Sequence, residues 1–290
     1  MKSTSLDLSG KIDPVTVDLL SKTNEVAKKI KVDFFVIGAT ARDLILEKGF
    51  GISIGRSTAD LDLGVLVNGW KTYSKLKDKL LSTGQFIMDN RTAHRLLYKS
   101  ILPLDMIPFG KVESPPGSIE WPLDRDTRMN VMGFQEAYDH ALIVRVAPNL
   151  DVRFVSLPGL AVLKLIAWSE RSGEAASKDA ADLVLLLKNY VNAGNMKRLY
   201  EEHSDLLLEE GHDQDRAGAR LLGQDMSELM TGQTRAEVLG ILRNNAGPGK
   251  SDRLIIAISK HLGMDAYEED KTLLECLTRG IKETPHTEEK

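Results

Sequence analysis

The spacing of apolar residues changes at Ser156, and this change predicts two structural classes within one chain. Before Ser156, short apolar runs of strand length alternate with stretches in which apolar residues recur every three to four positions, the spacing of a helix with one buried face. After Ser156 the helical spacing continues almost to the last residue. We therefore expect an α+β protein, with a mixed sheet and flanking helices in residues 1–155 and an all-helical part in residues 156–290.

The same pattern predicts the individual elements. The predicted strands cover residues 34–37, 61–67, 92–99, 101–109, 141–146 and 152–155. The predicted helices cover residues 14–30, 38–48, 70–81, 156–171, 177–190, 196–210, 214–230, 235–244 and 251–262. Residues 113–129 are rich in proline and charge, which predicts a long loop, and the glycine-rich residues 47–55 are predicted to form a flexible flap.

Three aspartates lie in or beside apolar strands. Asp60 and Asp62 are two residues apart, so within a strand both side chains point to the same face. Asp105 stands alone within the apolar run 101–109. A D-x-D pair by itself is more often a solvated turn. If the two strands are neighbours, however, three carboxylates converge and need a cation, because like charges repel strongly. Such hard oxygen ligands suit Mg²⁺ or Mn²⁺, which bind phosphoryl groups.

A glycine turn precedes these acids. The apolar strand 34–37 runs directly into Gly38, which begins a predicted helix, and such a junction presents backbone N–H groups to an anion. Neither G-x-x-x-x-G-K-[ST] nor G-x-G-x-x-G occurs, which excludes the two common nucleotide-binding loops. The string G-x-S-x-G occurs at residues 51–55, but it lies in the predicted glycine-rich flap and not between a strand and a helix, as a nucleophile motif requires; Cys276 lies in the helical tail. Direct attack by an acceptor hydroxyl is therefore the simplest chemistry.

Taken together, these segments resemble the polymerase-β-like nucleotidyltransferase superfamily, and within it the AbiEii-type toxin nucleotidyltransferases. The resemblance rests on the turn G-A-T-A-R-D at residues 38–43, the segment R-S-T-A-D-L-D-L at residues 56–63, Asp105, Lys164 on a helix, and the D-x-x-D pair Asp179 and Asp182. It covers about residues 32–190. Twenty-two residues separate Gly38 from Asp60, which is longer than the shortest spacing in the superfamily and leaves the geometry of the intervening loop open.

The resemblance implies a metal-dependent nucleotidyltransferase that moves NMP from an NTP to an acceptor hydroxyl, with RNA or tRNA as the expected acceptor. The catalytic residues that it implies are Asp60, Asp62, Asp105, Lys164 and Asp182. The nucleotide-binding residues that it implies are Gly38, Ala39, Thr40, Arg42, Thr58, Lys164 and Asp179. Asp60, Asp62 and Asp105 are expected to hold Mg²⁺ or Mn²⁺, and the helical part is expected to complete the active site. A toxin role, with an antitoxin protein as partner, follows from the resemblance alone.

The residues expected in the helical part have structural alternatives. Lys164 can extend its stem along apolar surface and keep its ammonium in water instead of binding phosphate. Asp179 and Asp182 are three residues apart and share a helix face. This face can be solvated, or the two acids can orient Lys164 and Arg171 or contact the acceptor. The family's order of a lysine helix followed by a D-x-x-D helix favours the functional interpretation of Lys164.

The residues around the glycine turn and the third aspartate also have alternatives. Thr40 can donate to a phosphate or cap its helix, and Arg42 can reach a triphosphate or pair with a neighbouring aspartate. Arg56 can be a structural partner of the acids. A basic cluster before Asp105 can protect an edge strand or line an acceptor groove; its members are Arg91, His94, Arg95 and Lys99. Two aromatic residues can stack on a base or fill the core; they are Trp121 and Tyr138.

Composition limits the class of protein. An apolar content of 42% and a charged content of 28% over 290 residues predict a globular protein. No run approaches the roughly 20 apolar residues that cross a membrane, and the first ten residues lack the apolar core of a secretion signal. The single Cys276 excludes an intramolecular disulfide and predicts a cytoplasmic protein. The six histidines lack zinc-site spacing. A net charge of −4 argues against a broad basic surface but leaves a local basic groove open.

A binding module is the alternative hypothesis to the enzyme. It would keep the same fold and use it to sense a nucleotide or bind a partner. Degenerate relatives of this kind usually lose a carboxylate, whereas this chain keeps all three, and this favours the enzyme. The sequence specifies neither the NTP nor the chemical identity of the acceptor.

Overall fold

The computed structural model describes residues 5–55, 58, 60–89, 92–122, 124–245, 251–260 and 266–285, and Arg56 and Arg91 lie outside them. The chain divides into two compact units, Met1–Ser156 and Leu157–Lys290. Within the described ranges, no helix combines the length and the apolar character that crossing a membrane requires.

The first unit is built on a mixed sheet. Its strands are β1 (Ser5–Asp7), β2 (Asp33–Ile37), β3 (Leu61–Val67), β4 (Phe86–Met88), β5 (Arg95–Tyr98), β6 (Leu102–Gly110), β7 (Ser118–Trp121), β8 (Asp124–Asn130), β9 (Leu142–Ala147) and β10 (Leu150–Phe154). Eight of them form one sheet in the order β1-β9-β10-β2-β3-β6-β5-β4, and β7 pairs with β8 separately. In the centre, β3 runs antiparallel to β2 and parallel to β6. A parallel pair between elements distant in sequence needs the long connection that residues 68–101 provide.

Helices accompany the sheet. They are α1 (Pro14–Ile30), α2 (Gly38–Asp43), which continues into a π-helical segment (Leu44–Gly49), α3 (Trp70–Leu81) and α4 (Phe134–Asp139). Helix α1 begins where the sequence predicts: the Asp13 carboxylate accepts a hydrogen bond from the Thr16 amide at 2.9 Å, and Pro14 occupies the first turn, where its missing N–H removes no bond.

An aromatic cluster packs on one face of the central strands. Gly64 of β3 lies opposite Phe35 of β2, and a β-carbon at Gly64 would approach Cδ1 of the Phe35 ring to 2.8 Å. The absence of that β-carbon lets Phe35 lie across β3, where its ring centroid is 5.7 Å from Phe109 and 5.6 Å from Tyr138 in edge-to-face geometry. These contacts fix how β2 sits against β3 and β6.

The second unit is helical throughout its described residues. Its helices are α5 (Leu157–Glu170), α6 (Gly173–Asn189), α7 (Ser204–Glu209), α8 (Gln214–Leu229), α9 (Gly232–Asn245), α10 (Arg253–Ser259) and α11 (Tyr267–Glu283), with π-helical segments Val191–Asn195 and Arg198–Glu202 between α6 and α7. The prediction of an α+β protein with a mixed sheet followed by helices is confirmed.

Several local predictions are wrong. Residues 113–129 do not form one long loop, because most of the segment belongs to the β7–β8 hairpin, which Ile119 and Trp121 anchor with buried side chains. The helix predicted over 196–210 is divided between a π-helical segment and α7. The short strands β1 and β4 and the helix α4 were not predicted, because three to six residues give too little periodicity to recognise.

Two glycines allow α8 and α11 to pack backbone against backbone. A β-carbon on Gly280 would lie 2.9 Å from the carbonyl carbon of Arg220 and 3.0 Å from the amide nitrogen of Gln224. A β-carbon on Gly223 would lie 3.0 Å from the amide nitrogen of Ile281. Backbone atoms on a helix cannot rotate away as a flexible side chain can, so this crossing tolerates no side chain at either position.

We predict that Gly280→Ala destabilises the second unit by about 1–3 kcal/mol, the usual range for overpacking a close contact. Gly240 of α9 is a matched control, since a β-carbon there meets no atom within 4 Å. Gly240→Ala should be neutral or stabilising by up to about 1 kcal/mol, because alanine favours a helix over glycine. Urea unfolding followed by circular dichroism measures both, and equal effects of the two substitutions would contradict the close crossing.

Candidate active site

Four residues at paired positions form a row across neighbouring strands, which we call the cross-strand row: Ile37, Asp62, Asp105 and Arg95. Ile37 of β2 pairs with Asp62 of β3, Asp62 pairs with Asp105 of β6, and Asp105 pairs with Arg95 of β5. Paired residues place their side chains on the same face of a sheet, and adjacent strands lie about 4.8 Å apart. The row therefore brings two predicted metal ligands side by side and sets an arginine next to them.

The glycine turn lies directly against the second aspartate. Gly38 follows the row residue Ile37 and has a φ of +71°, in the left-handed region that favours glycine. A β-carbon at this position would lie 2.8 Å from Cγ of Asp62. Glycine is therefore required at residue 38 for two reasons: its backbone conformation and the space that the Asp62 carboxylate occupies. Ala39 follows within the first turn of α2.

Two threonines hold Asp60. The Thr40 hydroxyl donates to the backbone carbonyl of Asp60 at 2.5 Å, and the Thr58 hydroxyl donates to its carboxylate. The Thr40 hydroxyl thus fixes the chain before β3 and does not cap α2, whose N-cap residue is Ile37. Its contact with a phosphate stays a prediction. Asp60 keeps a side-chain exposure of 37%, so its carboxylate remains open to solvent.

Arg42 is buried in a pair with its neighbour. Its Nε donates to Oδ1 of Asp43 at 2.7 Å, and the arginine is only 3% exposed. Oδ2 of Asp43 accepts a hydrogen bond from the Thr58 amide at 3.2 Å. The geometry matches the alternative in which Arg42 pairs with an aspartate, and the pair ties α2 to the chain that carries Asp60. A contact between Arg42 and a nucleotide stays a prediction.

Arg95 joins two of the predicted metal ligands. Its Nε lies 2.7 Å from Oδ1 of Asp105, and its Nη2 lies 2.6 Å from Oδ2 of Asp105 and 3.3 Å from Oδ2 of Asp60. The hydrogen bonds that Arg95 donates to Asp105 raise the pKa of Arg95 further above its ordinary value, and burial acts in the opposite direction. In the ranges that the structure describes, no three His, Cys, Asp or Glu side chains are arranged to hold a metal ion. The predicted triad of Asp60, Asp62 and Asp105 thus collects at one place without forming a coordination sphere.

The predicted residues of the second unit form a cluster of their own. Nζ of Lys164 in α5 lies 2.9 Å from Oδ1 of Asp179 and 2.6 Å from Oδ2 of Asp182, both in α6. Oδ2 of Asp179 also binds Nη1 of Arg171 at 2.9 Å. Both aspartates are 1% exposed, which excludes the solvated face. Lys164 does not extend its ammonium into water, because two buried carboxylates hold it. This geometry corresponds to the alternative in which the aspartates orient Lys164 and Arg171.

The aromatic residues considered for base stacking belong to the core. Trp121 is 4% exposed and Tyr138 is 8% exposed. Tyr138 packs against Phe35, and the Trp121 ring lies 5.6 Å from the His94 ring. Burial of His94 lowers its pKa, so a neutral imidazole is favoured beside the indole.

The pairing of Arg95 with Asp105 was not predicted from the sequence, in which Arg95 was identified only as part of a basic cluster. The signal was present in the spacing. The residue numbers of each pair between β5 and β6 add to 200. A hairpin centred on residue 100 therefore sets residue 95 opposite residue 105. Lys99 and Ser100 have positive φ values of 49° and 60°, as a tight reversal requires.

Comparison with known proteins gives one family match. A family model described as the nucleotidyl transferase AbiEii toxin of a type IV toxin–antitoxin system matches residues 23–244. No curated protein matches the chain. The matched range includes every residue of the cross-strand row and the whole Lys164 cluster.

Three solved structures are similar at low identity. An antigenic nucleotidyltransferase-like protein from Paracoccidioides brasiliensis is 15% identical, with a TM-score of 0.42, over 66% of this chain and 89% of that chain. The antibiotic-resistance factor ANT(2'')-Ia is 14% identical, with a TM-score of 0.38, over 69% and 99%. A tRNA-processing enzyme is 14% identical, with a TM-score of 0.26, over 93% and 91%. TM-scores below 0.5 add nothing to the family match.

We predict that Gly38→Ala weakens binding of a magnesium–NTP complex by at least about tenfold, or about 1.4 kcal/mol, because a β-carbon displaces the Asp62 carboxylate. Gly51 is a matched control: its φ is +70°, yet a β-carbon there meets no atom within 4 Å. Both substitutions strain the backbone by roughly 1–2 kcal/mol, so both should lower the melting temperature. Calorimetry with a non-hydrolysable NTP separates them, and equal binding by the two variants would contradict the steric role of Gly38.

Proposed function

The chain belongs to the AbiEii family of nucleotidyltransferase toxins of type IV toxin–antitoxin systems, and we propose that its reaction depends on a divalent metal and on the acids of the cross-strand row. The observation that carries this proposal is the register that pairs Asp62 with Asp105 beside the Gly38 turn. Asp60 lies within reach of the same arginine as Asp105. Three carboxylates and a glycine turn are thus gathered at one edge of the first unit.

The donor set fits a divalent metal. Asp60, Asp62 and Asp105 supply only carboxylate oxygens, the ligands that Mg²⁺ and Mn²⁺ prefer. Asp60 and Asp105 already gather around a positive charge, that of Arg95, as like charges at close range require. When bound, such ions neutralise the triphosphate and lower the pKa of an attacking hydroxyl.

The remaining residues are given roles according to the chemical groups that they offer to the nucleotide or to Asp60. We propose that the backbone N–H groups of Gly38 and Ala39 bind the triphosphate, because they lie at the positive end of the segment formed by α2 and its π-helical continuation. Thr40 and Thr58 hold Asp60 in place. We propose Lys164 as the cation that contacts the nucleotide phosphates, with Asp179 and Asp182 orienting its ammonium.

The proposed reaction is a direct displacement. The acceptor oxygen forms a bond to the α-phosphorus of the NTP while the bond from that phosphorus to the bridging oxygen breaks, and pyrophosphate leaves with the bonding electrons. The hydroxyl proton passes to the carboxylate of Asp105. No covalent enzyme intermediate is needed, because the acceptor oxygen attacks the α-phosphorus directly.

We propose RNA as the acceptor, with tRNA as one form of it, and the charge distribution supports a polyanion. Residues 1–156 contain 21 Lys and Arg against 19 Asp and Glu, whereas residues 157–290 contain 17 against 23. Helix α3 exposes Lys71, Lys75 and Lys79 at four-residue intervals, so they form one stripe. The hydroxyl of Tyr73 in α3 donates to the carbonyl of Met106, next to Asp105, at 2.9 Å. An antitoxin protein is the proposed genetic partner, and the cytoplasm, which holds NTP and RNA, is the proposed location.

We predict that the purified chain with Mg²⁺, labelled NTPs and total RNA labels an RNA fraction and releases pyrophosphate. Asp62→Asn should reduce transfer by about 10²- to 10³-fold, the usual loss when one group that stabilises transition-state charge is removed. Asp105→Asn should largely keep NTP binding and lose transfer, since it removes the proton acceptor. Asp151→Asn is the matched control, because Asp151 pairs with Arg145 on β9 and β10 away from the row. If NTP binds and no cellular fraction is ever labelled, the nucleotide-sensing module replaces the transferase.

We predict that replacing Lys71, Lys75 and Lys79 together by glutamine weakens RNA binding. The slope of log K against log salt should become shallower by about 2, because each lost phosphate contact contributes roughly 0.7. The same replacement of three lysines in the second unit is the control; these are Lys197, Lys271 and Lys282. Filter binding across a salt series measures both variants. An unchanged slope in the α3 variant would place the RNA elsewhere.

A further inference from the structure

Arg95 lies where Asp60 and Asp105 would otherwise need a cation. Both oxygens of Asp105 accept from its guanidinium, at 2.7 and 2.6 Å, and the same Nη2 also reaches Asp60 at 3.3 Å. Arg95 thus makes a bidentate contact with the Asp105 carboxylate and a single contact with the Asp60 carboxylate. A guanidinium remains charged at every pH that a protein experiences, so its charge is a permanent part of the site.

A permanent cation here opposes a free metal ion. A divalent ion bound by Asp60 and Asp105 would lie beside a positive group at short range, and like charges repel strongly in a partly buried site. Arg95 is 26% and Asp105 is 11% exposed at the side chain, so water screens this repulsion only in part. Asp105 can therefore serve a metal or a proton only after the guanidinium has turned away.

We propose that Arg95 is a built-in counter-ion that holds Asp60 and Asp105 while the site is empty and turns from Asp105 to the triphosphate when a metal–NTP complex binds. The inference rests on the proposed function, because it assigns the acids to the metal and the triphosphate to the same edge. The phosphate oxygens give the guanidinium an equivalent partner, since its planar fork matches a phosphate as well as a carboxylate. Metal and nucleotide then assist each other's binding, by the same factor in both directions.

An edge-protection role explains less of this geometry. Strand β5 is not an edge strand, because β4 pairs with it and forms the edge of the sheet. A charge that only covers the sheet surface would stay largely in solvent, as Arg145 does on β9, where it pairs with Asp151 and remains 46% exposed. Arg95 instead points along the row, toward two acids that the family resemblance assigns to catalysis. Arg145 and Arg95 are both arginines that bind an aspartate across paired antiparallel strands, so Arg145 provides a matched control.

The test is calorimetry of the full chain with Mn²⁺ alone, and with Mn²⁺ in the presence of a non-hydrolysable NTP. In the unaltered chain, Mn²⁺ alone should bind weakly, and the NTP analogue should strengthen its binding. In Arg95→Gln, Mn²⁺ alone should bind at least about tenfold more tightly, and the strengthening by the analogue should fall at least about tenfold. The melting temperature of this variant should be low without metal and recover with Mn²⁺ alone. Arg145→Gln should behave as the unaltered chain in both calorimetric measurements.

Each other outcome has a defined meaning. If Arg95→Gln binds Mn²⁺ no more tightly than the unaltered chain and keeps the full effect of the analogue, Arg95 is not a counter-ion and the proposal fails. If the unaltered chain binds no Mn²⁺ even with the analogue, the metal dependence in the proposed function fails instead. Should Arg95→Gln not fold, Arg95→Lys decides, because it keeps the charge and loses the fork. The strengthening by the analogue should fall in that variant, and an unchanged value would overturn the proposal.

Discussion

The register between β3 and β6 is the constraint on which the candidate site depends. It sets Asp62 beside Asp105, and a shift of one residue would turn every side chain of one strand to the opposite face. Phe35 of β2 opposes such a shift, because its ring packs across Gly64 of β3 and against Phe109 of β6, and only glycine leaves room for the ring at residue 64. Apolar contacts in the core thus determine where two charged groups meet on the central strands of the sheet.

The sequence predicted those features of the first unit that depend on local spacing. The α+β class follows from periodicity, and the strand that carries Asp62 follows from its apolar run. The contacts of Arg95 depend on a hairpin register and those of Arg42 on burial, and neither is a local property. The β7–β8 hairpin was missed for a related reason: its proline-rich segment has turn chemistry at both ends, and burial of Trp121 overrides it.

Acidic residues are stabilised differently in the two units. Asp60 keeps an exposed carboxylate that shares an arginine with Asp105, so its partner can be exchanged at little cost in solvation. Asp179 and Asp182 are almost completely buried and are held by Lys164. Burying a carboxylate is tolerable only with a partner, so that cluster is fixed by the requirements of folding. The carboxylate proposed to exchange ions and the carboxylates that hold one lysine therefore differ in burial.

This difference changes what a substitution of Lys164 can reveal. Removing the lysine leaves two buried carboxylates without its ammonium, and breaking a buried pair in this way typically costs about 3–5 kcal/mol. A loss of activity in Lys164→Ala would then mix a missing phosphate contact with a loosened α5–α6 pair. Arg171 still binds Asp179 after this change, so Asp179 keeps a cationic partner. Combining Lys164→Met with Asp182→Asn removes the ammonium and the charge it neutralises together, and the activity of that double variant reports on the phosphate contact with less disturbance of the fold.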